Sequence, residues 1–444
     1  MANPSLSEYL AQSQRGLYQS VFGPEYLQKQ TYFTVDSATG IFNTTYGRKV
    51  WQALNNQTRF FNAIPRVVWG NTAGWRVRSD RGSGRSRPVT ETGSLPRVDV
   101  SSIQTVSILP RIVSTTFGAS VKSVFTAQLE GGVGDVLALE NENAQLDHIK
   151  EINEELNAGS AYIVSAGGAT SFTVPAAIAK HFKIGDAVST NDGGTMGRTS
   201  GSAVSAANTS SGVVTVASGT AFADGDLATI YSRAGFTSIQ DVVAEDAMTV
   251  GGTSNGAEVR AYDLTQSGRV AGDWNAAANV SYNSGTGRDL TLTLLDTAIQ
   301  KIRENGGEPK LILLGHDQYF KLERLLNSQQ RYMGQEEYQV CIGSEKTYPG
   351  TRTGLVLSTY MGIPILPDAD VAKSVSSADA VLGTDVFVLD TDYIEMAIAQ
   401  PTQYVENRDY FAANALVVRG LLYTMGEMRV KNIWTQAKIS DLNS

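Results

Sequence analysis

The segment from Arg59 to Arg111 constrains this chain most, because it is long, polar and strongly basic. It holds nine arginines against Asp80, Glu91 and Asp99, so its formal charge is about +6 (9 − 3). Glycines interrupt it, and it shows no apolar pattern that would give it a core of its own. Such a segment must lie on something else, and a second copy of the same chain is the favoured surface.

Residues 70–94 of this segment have the pattern of a two-stranded hairpin. Trp75-Arg76-Val77-Arg78 alternates as a strand does, and five glycines punctuate the surrounding loop. An isolated hairpin is only marginally stable in water, so we expect contacts outside the hairpin to stabilise it. Just upstream, FFNAIPRVVWG (60–70) predicts the entry to a strand, which Pro65 confines to a sheet edge.

The overall composition is that of an ordinary folded protein. The chain has 444 residues, 42% of them hydrophobic and 18% charged, which allows two or three domains. A net charge of −8 argues against a general nucleic-acid binder. Cys341 is the single cysteine, which excludes an internal disulfide and a cysteine-based metal site. No apolar run is long enough for a membrane span. The N-terminus lacks the pattern of a signal peptide, so synthesis in a cytosol is expected.

The sequence around the basic segment predicts an arm, extended chain and one long helix. A short helical stretch, Leu6 to Val21, is expected within an otherwise polar N-terminal arm. Apolar residues alternate in short runs from Val98 to Val124, which predicts extended structure. From Gly134 to Leu156 they recur every three or four residues among many glutamates, which predicts an amphipathic acidic helix. Asn157-Ala158-Gly159 is expected to end it.

Residues 160–235 differ in composition from their surroundings. They are rich in Gly, Ser, Thr, Ala and Val, nearly free of charge, and arranged as short alternating runs between turn signals. This pattern predicts a small β-barrel or sandwich, interpreted as an inserted domain. Gly185-Asp186 and Gly225-Asp226 recur in similar settings, each before an apolar strand, and hint at two related hairpins.

Helical and strand patterns alternate in the last third of the chain. LTLTLLDTAIQKIRENGGEP predicts a helix with Leu295, Ala298 and Ile302 on one face, stopped by two glycines. The run LILLG (311–315) predicts a buried strand, and a second helix is expected over 317–326. Later apolar runs predict further strands, so the fold class is α+β.

Catalytic and metal-binding patterns are nearly absent. The three histidines stand singly in unrelated segments, and no metalloprotease, phosphate-loop or calcium-loop motif occurs. The G-x-S-x-G match at 252–256 lacks the strand and helix that a nucleophile elbow requires, so a loop is favoured. The Asp-rich phrases at 191–193 and 224–226 supply too few calcium ligands and are interpreted as turns. We expect no enzyme activity, no cofactor and no metal.

The arginines allow three interpretations. They could bind nucleic-acid phosphates, form a solvated loop, or pair with acidic surfaces of neighbouring copies, and the third is favoured. The acidic helix is one available surface. The candidate intersubunit residues of the hairpin are Trp75, Arg76, Arg78, Arg81, Arg85 and Arg87. Those of the acidic helix are Glu140, Glu142, Glu151, Glu154 and Glu155.

The order of these elements resembles the tailed-virus major capsid protein of the Hong Kong 97 type. The resemblance is carried by the hairpin with ETGSLP after it, the acidic helix ending in NAGSA, and three later phrases. These phrases are GRDLTLTLLDTAIQKIRENGGEPKLILLGHDQYFKLERLLNSQQRYM, YMGIPILPDADV and LLYTMGEMRVKNIWTQAKI. The family fold implies an N-terminal arm, an extended E-loop that lies across an adjacent subunit, a peripheral domain with a spine helix, and an axial domain.

By this resemblance, the chain divides into six parts. They are the arm (1–61), the E-loop hairpin (62–96), the peripheral strands and spine helix (97–159), an inserted β-rich domain (160–235), the axial domain (236–400) and returning C-terminal strands (401–444). Some relatives join subunits through a Lys–Asn bond from the E-loop. This chain has no lysine between Lys49 and Lys122, so noncovalent stabilisation is expected.

The resemblance implies a structural function. The chain is expected to assemble through hexamers and pentamers into an icosahedral shell around double-stranded DNA, as part of a virion capsid built in the host cytoplasm. Implied partners are other copies, a portal, scaffolding or decoration proteins, and DNA touched non-specifically on the inner face, with no membrane. An encapsulin-like cargo shell and a cell-surface lattice or adhesin protein are the alternatives.

Overall fold

A computed structural model describes most of the chain after residue 57. The described ranges are 58–70, 74–81, 88–96, 100–127, 136–159, 161–192, 195–218, 222–244, 249–250, 253–254, 260–265, 269–270, 272–327, 336–342, 346–352, 359–375, 381–408 and 416–444. The predicted helix at Leu6 to Val21 lies outside them. Within them, no helix is long and apolar enough to cross a membrane.

The regular elements are as follows. The helices are α1 (Arg59–Ala63), α2 (Val121–Ala127), α3 (Val136–Asn157), α4 (Ala176–Ala179), α5 (Ile239–Val242), α6 (Leu292–Glu304) and α7 (His316–Asn327). The strands are β1 (Arg66–Val68), β2 (Gly74–Arg78), β3 (Ile103–Ser107), β4 (Arg111–Ser120), β5 (Ala161–Ile163), β6 (Ala166–Gly167), β7 (Ser171–Thr173), β8 (Ala187–Asp192), β9 (Thr195–Ala207), β10 (Val213–Val216), β11 (Leu227–Ser232), β12 (Thr249–Val250), β13 (Thr253–Ser254), β14 (Arg260–Ala261), β15 (Leu264–Thr265), β16 (Asn279–Ser281), β17 (Leu311–Leu314), β18 (Glu336–Ile342), β19 (Lys346–Arg352), β20 (Thr359–Tyr360), β21 (Ile363–Pro367), β22 (Lys373–Val375), β23 (Val381–Thr384), β24 (Val386–Leu389), β25 (Ile394–Asn407), β26 (Val417–Val430) and β27 (Ala437–Ile439).

The chain forms two compact units. Of the described residues, 114–127, 136–148, 402–408 and 416–423 belong to the smaller unit. There Phe117 stacks on Tyr404 with ring centroids 6.0 Å apart. The predicted extended run to Val124 is wrong at its end, because α2 begins at Val121, whose N–H donates to the Leu416 carbonyl at 3.0 Å.

The long acidic helix is close to its prediction. Helix α3 runs from Val136 to Asn157, against a predicted Gly134 to Leu156. Among its apolar positions, Ile152 and Leu156 are buried, whereas Ile149 is exposed. The helix ends at the predicted Asn-Ala-Gly.

A six-stranded mixed sheet forms the centre of the larger unit. Its order is β16-β27-β24-β17-β21-β20. Strand β17 is buried at every position and pairs antiparallel with β24 and parallel with β21. Helix α6 buries Leu295, Ala298 and Ile302 against this sheet, as its periodicity predicts. Its start is capped by the Thr291 hydroxyl, which accepts from the Leu294 N–H.

A four-stranded sheet with the order β1-β25-β26-β4 is also present. In it, β1 runs parallel to β25, with Arg66 opposite Met396. The predicted strand entry at 60–70 is partly wrong, because residues 59–63 form helix α1 and only 66–68 form a strand. The large side chains of Phe60 and Phe61 pack into the main core, which favours this compact turn of helix over extended chain.

Residues 161–232 form a β structure with its own core. Seven strands lie in the order β5-β11-β8-β9-β10-β7-β6. The end strands of this row, β5 and β6, are separated by only two residues in the chain. We call this seven-stranded structure the barrel region. Its interior contains Phe172, which lies 4.9 Å from Phe222 and 5.4 Å from Phe182 between ring centroids. The predicted β-rich character of this region is confirmed.

Two turns of the barrel region, 40 residues apart (225 − 185 = 40), make the same contacts. The Gly185 N–H donates to Val204 O and the Gly225 N–H donates to Val164 O, at 2.9 and 2.8 Å. Both glycines have positive φ, 93° and 83°, a region that favours glycine. In each turn, the aspartate that follows the glycine accepts from the N–H three residues before it. The recurring Gly-Asp pairs therefore mark a true internal repeat.

Candidate intersubunit surface

The predicted hairpin exists, but its second strand lies further along the chain. Strand β2 pairs antiparallel with β3, placing Trp75 opposite Val106 and Arg78 opposite Ile103. The return strand is thus at 103–107, beyond the expected end of the hairpin at residue 96. Periodicity could not place it, because each strand has only five residues and the intervening loop is long.

The base of the hairpin is held by its own chain. The Trp75 ring meets the Tyr262 ring edge-on, with centroids 5.2 Å apart. The Ser107 N–H donates to Asp263 Oδ2 at 3.0 Å. Contacts outside the hairpin do stabilise it, as expected, but at its base they come from its own chain and not from the favoured second copy. An outside partner can only meet the surface that the hairpin leaves exposed.

The candidate arginines that are described point to that surface. Arg76, Arg78 and Arg81 are exposed. Among the described residues, these three make no ion pair within 4.0 Å. The remaining candidates of the hairpin, Arg85 and Arg87, lie outside the described residues. Three charged forks are therefore available for carboxylates of another molecule.

Exposed apolar side chains, which alternation in the sequence did not reveal, accompany the arginines. Val68 is 87% exposed and Leu109 is 76% exposed. Among the described residues from 59 to 112, the exposed large apolar side chains are Val68, Val89, Leu95, Val100, Ile103, Leu109 and Ile112. Such a concentration of exposed apolar surface in one segment is typical of an interaction site. The sequence signal for these exposed side chains was the presence of apolar residues in a segment that has no core of its own.

The acidic helix contributes fewer free carboxylates than predicted. Glu151 and Glu154 lie 2.8 and 3.4 Å from Lys183 Nζ within the same chain. Glu155 is buried, and its Oε2 accepts the Phe236 N–H at 2.8 Å. Glu142 is exposed and Glu140 is half-buried, with its pKa raised by that burial. Glu155 is thus a core residue, and only Glu140 and Glu142 remain without a lysine partner among those shown.

Two buried carboxyl groups predict a pH dependence of stability. Burial raises the pKa of Glu155 to about 8 and that of Glu427 to about 7, from 4.5. The folded chain then binds more protons than the unfolded chain between these values, so the free energy of unfolding should fall as pH rises from about 4.5 to 8. Chemical denaturation at several pH values checks this. E155Q should flatten the dependence, and an unchanged slope would contradict the assignment.

An aromatic cleft lies beside the hairpin base. It encloses about 590 Å³ and is lined by Trp75, Trp274, Trp434 and Tyr393, with Arg76 and Arg78 at its side. Aromatic and arginine side chains are the residues that most often dominate binding at protein interfaces. The cleft therefore extends the exposed surface of the hairpin.

A second exposed feature is the turn between β20 and β21. Tyr360 pairs with Ile363, leaving Met361 and Gly362 as a two-residue turn in which both φ angles are positive, 50° and 83°. Asn and Gly suit such a turn, whereas Met is strained there. Met361 is nevertheless 61% exposed, beside a cleft of about 530 Å³ lined by α6. Strain and apolar exposure together mark this turn as a candidate contact.

The comparison with protein families identifies the kind of protein that carries these surfaces. The family model described as SU10 major capsid protein matches residues 28–442. The chain belongs to this family. It is a major capsid protein of tailed phages that forms an icosahedral shell, and its place is the virion capsid. The family is structural and not enzymatic, and it favours a phage shell over the cargo-shell and cell-surface alternatives.

A solved phage capsid structure shares the fold of this capsid protein, and two more distant matches are similar over most of their length. The cyanophage A-1(L) capsid asymmetric unit has 11% identity and a TM-score of 0.53, over 89% of this chain and 96% of that one. The phage G gp27 major capsid proteins with gp26 decoration proteins have 7% identity and a TM-score of 0.42, over 93% and 100%. The SrpI encapsulin complex from Synechococcus elongatus PCC 7942 has 9% identity and a TM-score of 0.41, over 89% and 91%. No curated protein sequence matches the chain. The mixed α/β Hong Kong 97-type fold is confirmed.

Proposed function

We propose that the hairpin of this capsid protein is the E-loop and that it clasps an adjacent copy in the shell. The observation that carries the proposal is the joint exposure of apolar side chains such as Val68 and Leu109 and of three arginines that make no ion pair with any described residue. Burying those apolar groups supplies a general driving force. Arginine forks then fix direction and register against carboxylates. Since no lysine lies between Lys49 and Lys122, the clasp is noncovalent.

The neighbour's carboxylates come from the beginning of the acidic helix. Glu140 and Glu142 are the two members of the predicted set that Lys183 does not engage and that are not fully buried. Pairing with arginine would also relieve the raised pKa of Glu140 by stabilising its charged form.

The remaining parts take the roles that the resemblance implies. The N-terminal arm is 1–61, the peripheral domain with its spine helix is 97–159, the axial domain is 236–400, and the C-terminal strands are 401–444. The barrel at 160–235 is an insertion exposed on the outer face of the shell. Its own core, separate from the others, and its internal repeat support this role. Hexamers and pentamers enclose double-stranded DNA, with a portal and scaffolding or decoration proteins as partners.

Hydrogen exchange tests the clasp. Amides in 103–109 should exchange about tenfold or more slowly in assembled shells than in dissociated subunits, because a docked partner restricts local opening. Amides of β17, buried in the subunit itself, serve as the internal control and should change little. Equal exchange of 103–109 in both states would contradict the clasp.

The Met361 turn supplies a second contact between copies, in the axial domain. Met361→Asn should stabilise the free subunit by about 1 kcal/mol, because Asn tolerates the left-handed region better than Met does. The same change should lower shell yield, because it removes the exposed apolar side chain. Denaturation of subunits and sedimentation of particles measure the two effects. Ile184→Asn, which removes another exposed apolar side chain in the barrel, should leave assembly unchanged. Normal shell yield from Met361→Asn would contradict the contact.

A further inference from the structure

The short helix at the root of the hairpin segment is capped by side chains from distant parts of the chain. The first N–H groups of a helix have no partner within it, and the N-cap residue of α1 provides no side-chain bond. Instead, the Phe60 N–H donates to Asp368 Oδ2 at 2.9 Å. The Phe61 N–H donates to Asn153 Oδ1 at 3.0 Å. Helix α3 and the loop after β21 thus supply the cap that the local sequence lacks.

The capping residues form one buried network. Asn153 Nδ2 lies 2.6 Å from Asp370 Oδ2 and 3.2 Å from Asp368 Oδ2. The Asp370 N–H donates to Asp368 Oδ1 at 2.9 Å. Asn153 and Asp368 are fully buried, and Asp370 is 3% exposed. These bonds are buried, and a buried polar group that loses its hydrogen-bond partner destabilises the fold more than an exposed one does.

Two lysines bring further elements to the same network. Lys150 Nζ lies 2.5 Å from Asp370 Oδ2, one turn before Asn153 on α3. Lys180 Nζ lies 3.6 Å from Asp370 Oδ1 and belongs to the barrel region. The aspartates after β21 therefore join the central sheet, the long helix, the barrel region and the root of the hairpin segment.

We propose that Asn153, Asp368 and Asp370 are positioning residues for assembly, acting as an anchor that fixes where the hairpin segment leaves the subunit. A long segment amplifies any change of direction at its root. The chain enters the hairpin segment through α1 and β1, and the anchor fixes the position of α1 through its backbone N–H groups. This role is separate from the contacts that the hairpin itself makes.

Trypsin tests the anchor directly, because Arg59 and Arg66 flank the capped helix. Asn153→Ala and Asp368→Asn remove the acceptor for Phe61 and weaken the one for Phe60. Cleavage after Arg59 and Arg66 in dissociated, full-length subunits should accelerate about tenfold in each variant, since a buried N–H without a partner favours local opening. Asp392→Asn, which breaks the exposed pair with Lys310, is the matched control and should cleave as the parent does.

Assembly provides the second measurement. Both anchor variants should give few closed shells while their core keeps a cooperative melting transition. Parental cleavage rates at Arg59 and Arg66, or normal shells from both variants, would overturn the proposal. So would acceleration of equal size at all tryptic sites, because that result means general unfolding. Cleavage is measured before assembly, so it stays informative even if the hairpin docks differently from the proposed clasp.

Discussion

Reversing Arg76, Arg78 and Arg81 to glutamate should give a folded, soluble capsid protein that no longer closes into shells. The three side chains are exposed and make no ion pair within the described part of the chain, so the subunit loses little. Each exposed ion pair contributes about 0.2–1 kcal/mol, and charge reversal replaces that attraction by repulsion of similar size. The three reversals together should therefore weaken each interface between two subunits by roughly 1–6 kcal/mol. A shell repeats that loss at every copy. Sedimentation and electron microscopy measure assembly, and thermal melting measures the fold.

The matched control keeps the charge and removes the planar fork. Arg76→Lys, Arg78→Lys and Arg81→Lys together should assemble weakly and with greater sensitivity to salt, because lysine cannot bind a carboxylate in two-pronged geometry. Normal particles from the charge-reversed protein would refute the docking role of these arginines.

Replacing Arg233 with methionine should have the largest effect on the stability of the subunit. Arg233 Nε lies 2.6 Å from Asp241 Oδ2, and its Nη2 donates to the carbonyls of Ala158 and Gly159. Arg233 is 7% exposed and Asp241 is 2% exposed. Removing one partner of a buried pair leaves an uncompensated charge, which costs about 3–5 kcal/mol. Both chain connections of the barrel region, at 157–159 and 233–241, should then loosen.

A double variant separates the charge from the packing. Arg233→Met with Asp241→Leu should recover part of the lost free energy of unfolding, since neither buried charge is left unpaired. Denaturant titration of the parent, the single and the double variant gives the coupling between the two sites. A single variant within about 1 kcal/mol of the parent would contradict the structural role of the pair, given the size expected for a buried charge.

Sequence periodicity predicted the elements whose stability is local. Helix α6, strand β17 and the long acidic helix were each located to within a few residues, because their burial follows a regular repeat. The barrel followed from composition, and its repeat from two Gly-Asp pairs whose positive φ angles demand glycine. The resemblance to Hong Kong 97-type capsid proteins then supplied the fold and function, which the family match confirms.

Features that depend on distant partners could not be predicted in this way. Glu155 was expected at the surface because glutamates usually are, yet Phe236, 81 residues away, folds over it and donates a hydrogen bond. Residues 59–63 were expected to enter a strand. The helix α1 that they form could not be predicted, because its caps lie 92 and 308 residues away in the chain. The return strand of the hairpin lies in a run predicted to be extended, but alternation within one strand does not say which other strand it pairs with. In each case, the deciding contact is tertiary.

Cryo-electron microscopy of assembled particles tests the central claim most directly. We expect an icosahedral shell in which the exposed face of each hairpin contacts an adjacent copy, with Arg76 and Arg78 within hydrogen-bond distance of its carboxylates and Leu109 covered. The same purified protein, seen as a small closed oligomer or as a shell whose hairpins fold back on their own subunits, would contradict it.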